Sequence, residues 1–284
     1  LGSCSDNENG IGGETSKYIT VSTSIGNMTR VATDEKGGQT FEEGDEISVY
    51  AWTGDATVAP ETRERVVNNA INKLTNGSWV STPQMLWKNN RDKHYFIGVY
   101  PTAAISDLSA GEYTFDANKQ TESDLLVAVN PDGLSYSADA QQTVPLTFTH
   151  VMAKLAVKLT YKNQWGGIPT VEKVVVGNAA KEATINYLTK VVTPSTTAKE
   201  DFSLPEITEN TKYVSVIIPQ EDVKQLTIVI GGKNFVYDNG TPFKLESGKI
   251  TTVNLEVGSD EIKLGDVKIT DWENGSTFSG EALN

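Results

Sequence analysis

Cysteine is nearly absent. Cys4 is the only one in 284 residues, so no disulfide can form within the chain and its fold must be held by a core rather than by staples. Histidine is almost as scarce: His94 and His150 are the whole supply, and they lie far apart. There is no His-Glu-x-x-His and no Cys-x-x-Cys. A Walker-type glycine loop and a nucleophile elbow are missing too. Positive charge is in deficit, with 24 Lys+Arg against 37 Asp+Glu and a formal net charge of −13. Such a balance argues against nucleic-acid binding, which needs a basic stripe for the phosphate backbone. No run of 18 apolar residues occurs, so no transmembrane helix is expected. Sustained helical periodicity is missing as well.

What is present is period-two alternation in short segments bounded by Gly, Pro, Asn and Asp. The first runs from Lys17 to Ile25, with Ile19, Val21, Thr23 and Ile25 on one face. In Asp45–Trp52, Ile47, Val49 and Ala51 alternate with Ser48, Tyr50 and Trp52. Similar segments recur to Val267–Trp272. Many short strands at this spacing predict an all-β protein of antiparallel β-sandwiches. Val67, Ala70, Ile71 and Leu74 have helical spacing, but Asn76-Gly77 follows at once and favours a type I′ hairpin. A hairpin is the preferred reading.

Leu146–Tyr161 carries the clue to a division. Leu146 and Phe148 are apolar at even positions, whereas Val151, Ala153, Leu155, Val157 and Leu159 are apolar at odd ones. A phase change in a continuous strand needs a bulge or burial on both faces. The expected organisation is a leader over 1–16, one sandwich over 17–142 and a second over 143–284.

The opening Leu1-Gly2-Ser3-Cys4 has the form of the end of a bacterial lipoprotein signal, cut just before the Cys that takes the lipid. Ser5–Ser16 is polar and glycine-containing, with almost nothing to bury, as a flexible tether would be. The expectation is a lipid-anchored protein of the bacterial outer membrane, exposed at the cell surface.

Several motifs along the chain resemble the fimbrillin family of Bacteroidetes surface lipoproteins, subunits of type V pili. Phe41-Glu42-Glu43-Gly44-Asp45-Glu46-Ile47 leads into a strand, and Pro83-Gln84-Met85-Leu86-Trp87 and Tyr95-Phe96-Ile97-Gly98-Val99-Tyr100-Pro101 follow. The strongest is Leu146-Thr147-Phe148-Thr149-His150-Val151-Met152-Ala153-Lys154-Leu155. Leu245-Glu246-Ser247-Gly248-Lys249 and Ile269-Thr270-Asp271-Trp272 complete the order. The resemblance implies two sandwich domains of transthyretin-like topology, no enzymatic activity, and polymerisation with other pilin subunits by strand exchange. It also implies a cut after an Arg beyond the first strand, for which Arg30 is the matching position. Ile19, Val21 and Ile25 would then leave with that strand. A donor strand would come from the C-terminal region, with Val267, Ile269, Phe278 and Leu283 as inserting side chains. Arg63 and Arg65 are rival sites for a trypsin-like protease.

No metal or cofactor is expected. Glu42, Glu43, Asp45 and Glu46 read as a solvated turn, and His150, in an apolar strand, as a buried, hydrogen-bonded histidine. The rival function is glycan binding by an uncleaved lipoprotein. Its best contact is Trp165, in the loop Trp165-Gly166-Gly167, because exposed aromatic rings stack on sugars.

Overall fold

The computed structural model describes residues 17–26, 40–136 and 142–272. Among them nearly all regular structure is strand, with one four-residue helix at Gln120–Ser123 and one 3-10 turn at Thr62–Glu64. The first eight strands are β1 (Thr20–Ile25), β2 (Glu46–Thr53), β3 (Arg65–Thr75), β4 (Ser78–Thr82), β5 (His94–Tyr100), β6 (Gly111–Thr114), β7 (Leu126–Leu134) and β8 (Thr143–His150). Next come β9 (Ala153–Tyr161), β10 (Val171–Ala180), β11 (Glu182–Asn186), β12 (Val191–Pro194), β13 (Lys199–Ser203) and β14 (Glu206–Thr208). The last are β15 (Lys212–Ile217), β16 (Gln225–Ile230), β17 (Lys233–Asp238), β18 (Lys249–Val257) and β19 (Ile262–Asp271).

The first half is a seven-stranded sheet in the order β1-β8-β7-β5-β2-β3-β4. It curls until its two edges meet at a bridge between Tyr18 and Leu86. Ile47, Val49, Ala51, Phe96, Leu126, Ala128, Val144, Leu146 and Phe148 point inward and form a core of their own. The expected β3–β4 hairpin is there. Asn76 and Gly77 have φ of 51° and 74°, the left-handed pair that a type I′ turn requires. Glu43 accepts the Asn76 N–H at 2.6 Å, so one carboxylate of the acidic turn caps the hairpin.

Alternation predicts a solvated outer face for β2, and the structure differs. Tyr50 and Trp52 are buried, as are Ile97 and Val99 on β5 and Val127 on β7, and all belong to the second, larger core. The segment after β5 covers this face and is stitched down by polar groups. Ser48 Oγ accepts the Ala103 N–H at 3.0 Å, and Tyr50 Oη accepts the Ile105 N–H at 2.9 Å. The Arg65 guanidinium donates to the carbonyls of Ile105 and Ser106 at 2.7 and 2.6 Å. Polar side chains can face the interior here because each meets a backbone partner. Outside this cover, β1 and β8 keep the simple pattern, with exposed Thr20, Ser22, Thr143, Pro145 and Thr147.

The second half packs the sheet β14-β15-β9-β18-β19 against β13-β10-β16-β17. A third sheet, β12-β11-β6, draws β6 from the first half into pairing with the second. The phase change in Leu146–Tyr161 marks a change of sheet. The chain leaves β8, makes a backbone bond from Val151 N–H to Leu125 at 2.9 Å, and enters β9 in the other sheet. β8 lies beyond the expected division at 142, yet it pairs with β7 and β1. The Gln142–Thr143 step only begins that strand; the structural transition is at Val151–Met152. Two pairs depart from antiparallel order: β1 with β8 and β9 with β18 run parallel. Parallel neighbours need a long crossover, and both pairs are joined through most of a domain's length of chain.

Gly98 lies on β5 where the Phe148 and Leu146 side chains of β8 reach across β7. A Cβ there would lie 2.6 Å from Phe148 Cζ and 3.2 Å from Leu146 Cδ1. Gly98→Ala is therefore expected to cost about 1–3 kcal/mol by overpacking, read as a lower midpoint in urea. An unchanged midpoint would show that Phe148 moves aside freely.

Candidate functional site: the first strand and its groove

β1 is short, and its six residues pair in unbroken parallel register with β8, from Thr20 opposite Thr143 to Ile25 opposite Phe148. β8 is its only ladder partner among the described strands. At its lower end the chain is fastened again, because Ile19 N–H donates to Met85 O at 2.8 Å and Trp87 N–H to Lys17 O at 3.1 Å. Beyond that point β1 and β4 diverge. A cavity of about 470 Å³ opens between them, bordered by Ser22, Ser24, Phe41, Leu74, Ser78 and Trp79. The Trp79 indole N–H spans toward β1 and donates to Thr23 Oγ1 at 3.0 Å. The Phe41 ring packs edge-on against Trp79, Tyr100 and Phe148, with centroids 5.4, 5.3 and 5.1 Å away.

The two faces of β1 differ in kind. Ile19, Val21 and Ile25 are 3%, 6% and 6% exposed and complete the first core beside Met85, Trp87 and Leu146. The other face carries hydroxyls, with Thr20 against Thr143 and Ser24 donating to Thr147 Oγ1 at 3.2 Å. The strand thus plugs an apolar slot from one side and offers solvent a polar back. An interaction of this type binds an extended segment by ladder hydrogen bonds and alternate side chains.

The other candidate residues fall elsewhere in the molecule. Cys4, Arg30, Phe278 and Leu283 lie outside the described residues. Of the residues flanking the Arg30 segment, Gly26 directly follows β1 and donates its N–H to Phe148 O at 2.7 Å, and Thr40 borders the cavity. Arg63 stands in the 3-10 turn with an exposed side chain paired to Glu61 at 2.8 Å. Arg65 is buried in β3, where a protease cannot reach it without unfolding the sheet. Trp165 is half-buried; its indole N–H donates to Val257 O at 3.0 Å and its ring meets Phe235 edge-on at 5.8 Å. Trp52, Trp87 and Trp272 are buried and Trp79 is half-buried.

Both histidines are internal. His94 Nδ1 donates to Asp92 O and its Nε2 accepts the Lys88 N–H, each at 3.0 Å. Burial pulls the His94 imidazole below its ordinary value. His150 Nδ1 lies 2.8 Å from Asp124 Oδ1, and its ring stacks on Trp272. Lys154 is buried beside them. Among the described residues no group of three His, Cys, Asp or Glu side chains is placed to hold a metal. No helix of the described residues is long and apolar enough to cross a membrane.

Known proteins bear on this arrangement. A family model described as fimbrillin-like matches residues 29–272. Solved structures share the fold at low identity. One is a candidate cell adhesion protein from Bacteroides uniformis, 19% identical, with a TM-score of 0.67 over 90% of this chain and 100% of that one. A second, from Bacteroides ovatus, is 18% identical with a TM-score of 0.65 over 90% and 98%. A third is the tip fimbrial protein of Porphyromonas gingivalis with a truncated C-terminus, 11% identical, with a TM-score of 0.53 over 81% and 95%. No curated protein matches the sequence.

Lys154, at the start of β9, gives the fold a pH dependence. Desolvation pulls its ammonium down from 10.5 to about 8, with the Asp124 carboxylate opposing. Above about pH 8 the folded chain releases this proton while the unfolded chain still holds it up to its ordinary value. Stability therefore rises with pH in that window. Buried tyrosines such as Tyr187, pushed up to about 12, act in the opposite direction once the unfolded phenols ionise above pH 10. Between pH 8 and 10 the wild type is expected to gain on the order of 2 kcal/mol relative to Lys154→Met, by urea denaturation at each pH. Parallel curves for the two proteins would refute this.

Proposed function

The chain belongs to the fimbrillin-like family, and on that premise we propose that it is a structural subunit of a cell-surface fimbria that polymerises by exchanging its first strand. In this reading the precursor is exported, lipidated at Cys4 and held at the outer membrane. A protease then cuts after Arg30. β1 leaves, and an extended segment of a neighbouring subunit takes its place against β8.

One observation carries the proposal. β1 and the Ile19 that precedes it supply three buried aliphatic side chains to the first core, while β1 pairs with a single strand among those described. Losing Ile19, Val21 and Ile25 forfeits about 5–9 kcal/mol at roughly 1.5–3 kcal/mol each. A whole domain is stable by only about 5–15 kcal/mol. An empty slot is therefore marginal, and a donor with the same spacing of apolar residues restores it. The bare edges of the slot also favour pairing with another chain.

The donor is the less defined part. In β19 the apolar face is Ile262, Leu264, Val267 and Ile269, and the register shifts at Asn254–Leu255 opposite Gly265. β1 pairs with β8 without any such shift. A straight β19 would carry only Val267 and Ile269 in phase, so residues after Trp272, with Phe278 and Leu283, would have to contribute the remaining contacts. Glycan binding is the weaker reading. Trp52, Trp87 and Trp272 are buried, and the indoles of Trp79 and Trp165 are each engaged by the protein itself. Adhesion through the assembled fimbria is the role that follows.

Two experiments check this. Limited trypsin digestion of the purified full chain, followed by sizing without denaturant, should give cleavage at Arg30, loss of β1 and higher oligomers. Arg30→Ala should stay intact there and monomeric. If Arg30→Ala polymerises as well as the wild type, or the cut chain remains a stable monomer, strand exchange is wrong for this protein. Metabolic labelling with a fatty-acid analogue should mark the wild type and spare Cys4→Ala; equal labelling would remove the lipid anchor.

A further inference from the structure

β19 buries little side-chain surface along its length, and among the described residues its ladder to β18 is supplemented only by exposed side-chain contacts such as Lys249–Asp271 and Asn254–Asp266. It is the outermost strand of its sheet and pairs only with β18 among the described strands. Every residue from Lys263 to Asp271 is exposed, and even the core-side Leu264, Val267 and Ile269 are 39%, 39% and 38% exposed. The next residue breaks the pattern. Trp272 is only 7% exposed.

The indole lies in a built setting. Its ring stacks on the His150 imidazole at 3.9 Å with 10° between planes, and the Lys154 ammonium sits 4.2 Å from the ring centroid. The Trp272 backbone N–H donates to Gly248 O at 2.9 Å. His150 is turned to face the indole by Asp124. The carboxylate can only accept, so Nδ1 donates, and Nε2 has no partner among the described residues. Gly248 has φ of +70°, and a Cβ there would approach His150 O to 3.3 Å, so the backbone of the turn just before β18 is drawn close at the same point. His150 ends β8 in the first sheet, Lys154 lies at the start of β9 in the second, and Asp124 precedes β7. The last strand is thereby tied to the place where the chain passes between sheets.

We propose that Trp272, directly after β19 and the one buried side chain in 263–272, is a clasp that fastens this strand to the β8–β9 junction, so that lifting the indole from His150 and Lys154 releases β19 as a unit while both cores remain folded. The physical basis is the contrast along the strand. An edge strand with exposed side chains has little besides its ladder to resist opening. A tryptophan buries more apolar area than any residue of β19, and stacking and the cation over its face add to that burial. Release of this strand does not depend on cleavage at Arg30 or on any exchange of β1.

Hydrogen exchange on the full chain, read by peptide mass, tests the clasp. In Trp272→Ala the amides of β19 and the facing edge of β18 are expected to lose at least tenfold protection, with β2, β5 and β9 unchanged. Trypsin should then cut rapidly after Lys263 and Lys268. Lys154→Met, which keeps the buried volume but removes the cation, should show a smaller loss confined to the same peptides. Loss spread evenly over all strands in either variant, or a Trp272→Ala chain that does not fold, would make Trp272 ordinary core and overturn the proposal. Unchanged protection of β19 in both variants would overturn it as well.

Discussion

Three aliphatic side chains, the ladder to β8 and the backbone bonds that tie Ile19 to Met85 and Trp87 to Lys17 hold the first strand, and together they close the first core. Ile19, Val21 and Ile25 fill the inner side of a sheet that would otherwise gape beside β8. The strand has no second ladder partner among the described strands, because β4 diverges from it and leaves a cavity along its free edge. β1 is short, polar on its outer face, apolar on its inner face and paired on one side only among the described strands. These properties come from one segment of alternating residues placed at the seam of a curled sheet.

The remainder of the first sheet is built in the opposite way. β2, β5 and β7 are covered on both faces, and the cover is secured by Ser48, Tyr50 and Arg65 reaching the backbone of residues 103–106. Their outer side chains merge with the core of the second half. β6 pairs with β11 across the same boundary. The centre of the molecule is thus a doubly packed body with the first and last strands at its margins.

Much of this is legible in the chain itself. The hairpin after Thr75 can be read against a helical spacing because Asn-Gly accepts two left-handed residues in succession. The inner face of β1 follows from alternation alone. The phase change near His150 announces a structural event, which proves to be a change of sheet immediately after that residue. The short strands β6, β12, β13 and β14 are not legible, since three to five residues without apolar alternation carry no periodic signal. They exist because neighbouring edges offer them partners. Trp165 shows the same limit. A loop position with two glycines predicts exposure, but the fold brings Val257 O and Phe235 to the ring.

By itself the sequence determined the class of fold, the absence of disulfides, the apolar face of the first strand and the likeness to fimbrillins, because each rests on local pattern or composition. Tertiary structure alone decided that β1 runs parallel to β8, that Tyr50 and Trp52 face a second core, and that Trp272 meets His150 and Lys154. Those outcomes depend on residues far apart in the chain. Alternation assigns side chains to two faces but does not say what covers either one, and which face is buried is settled only when distant segments pack against it.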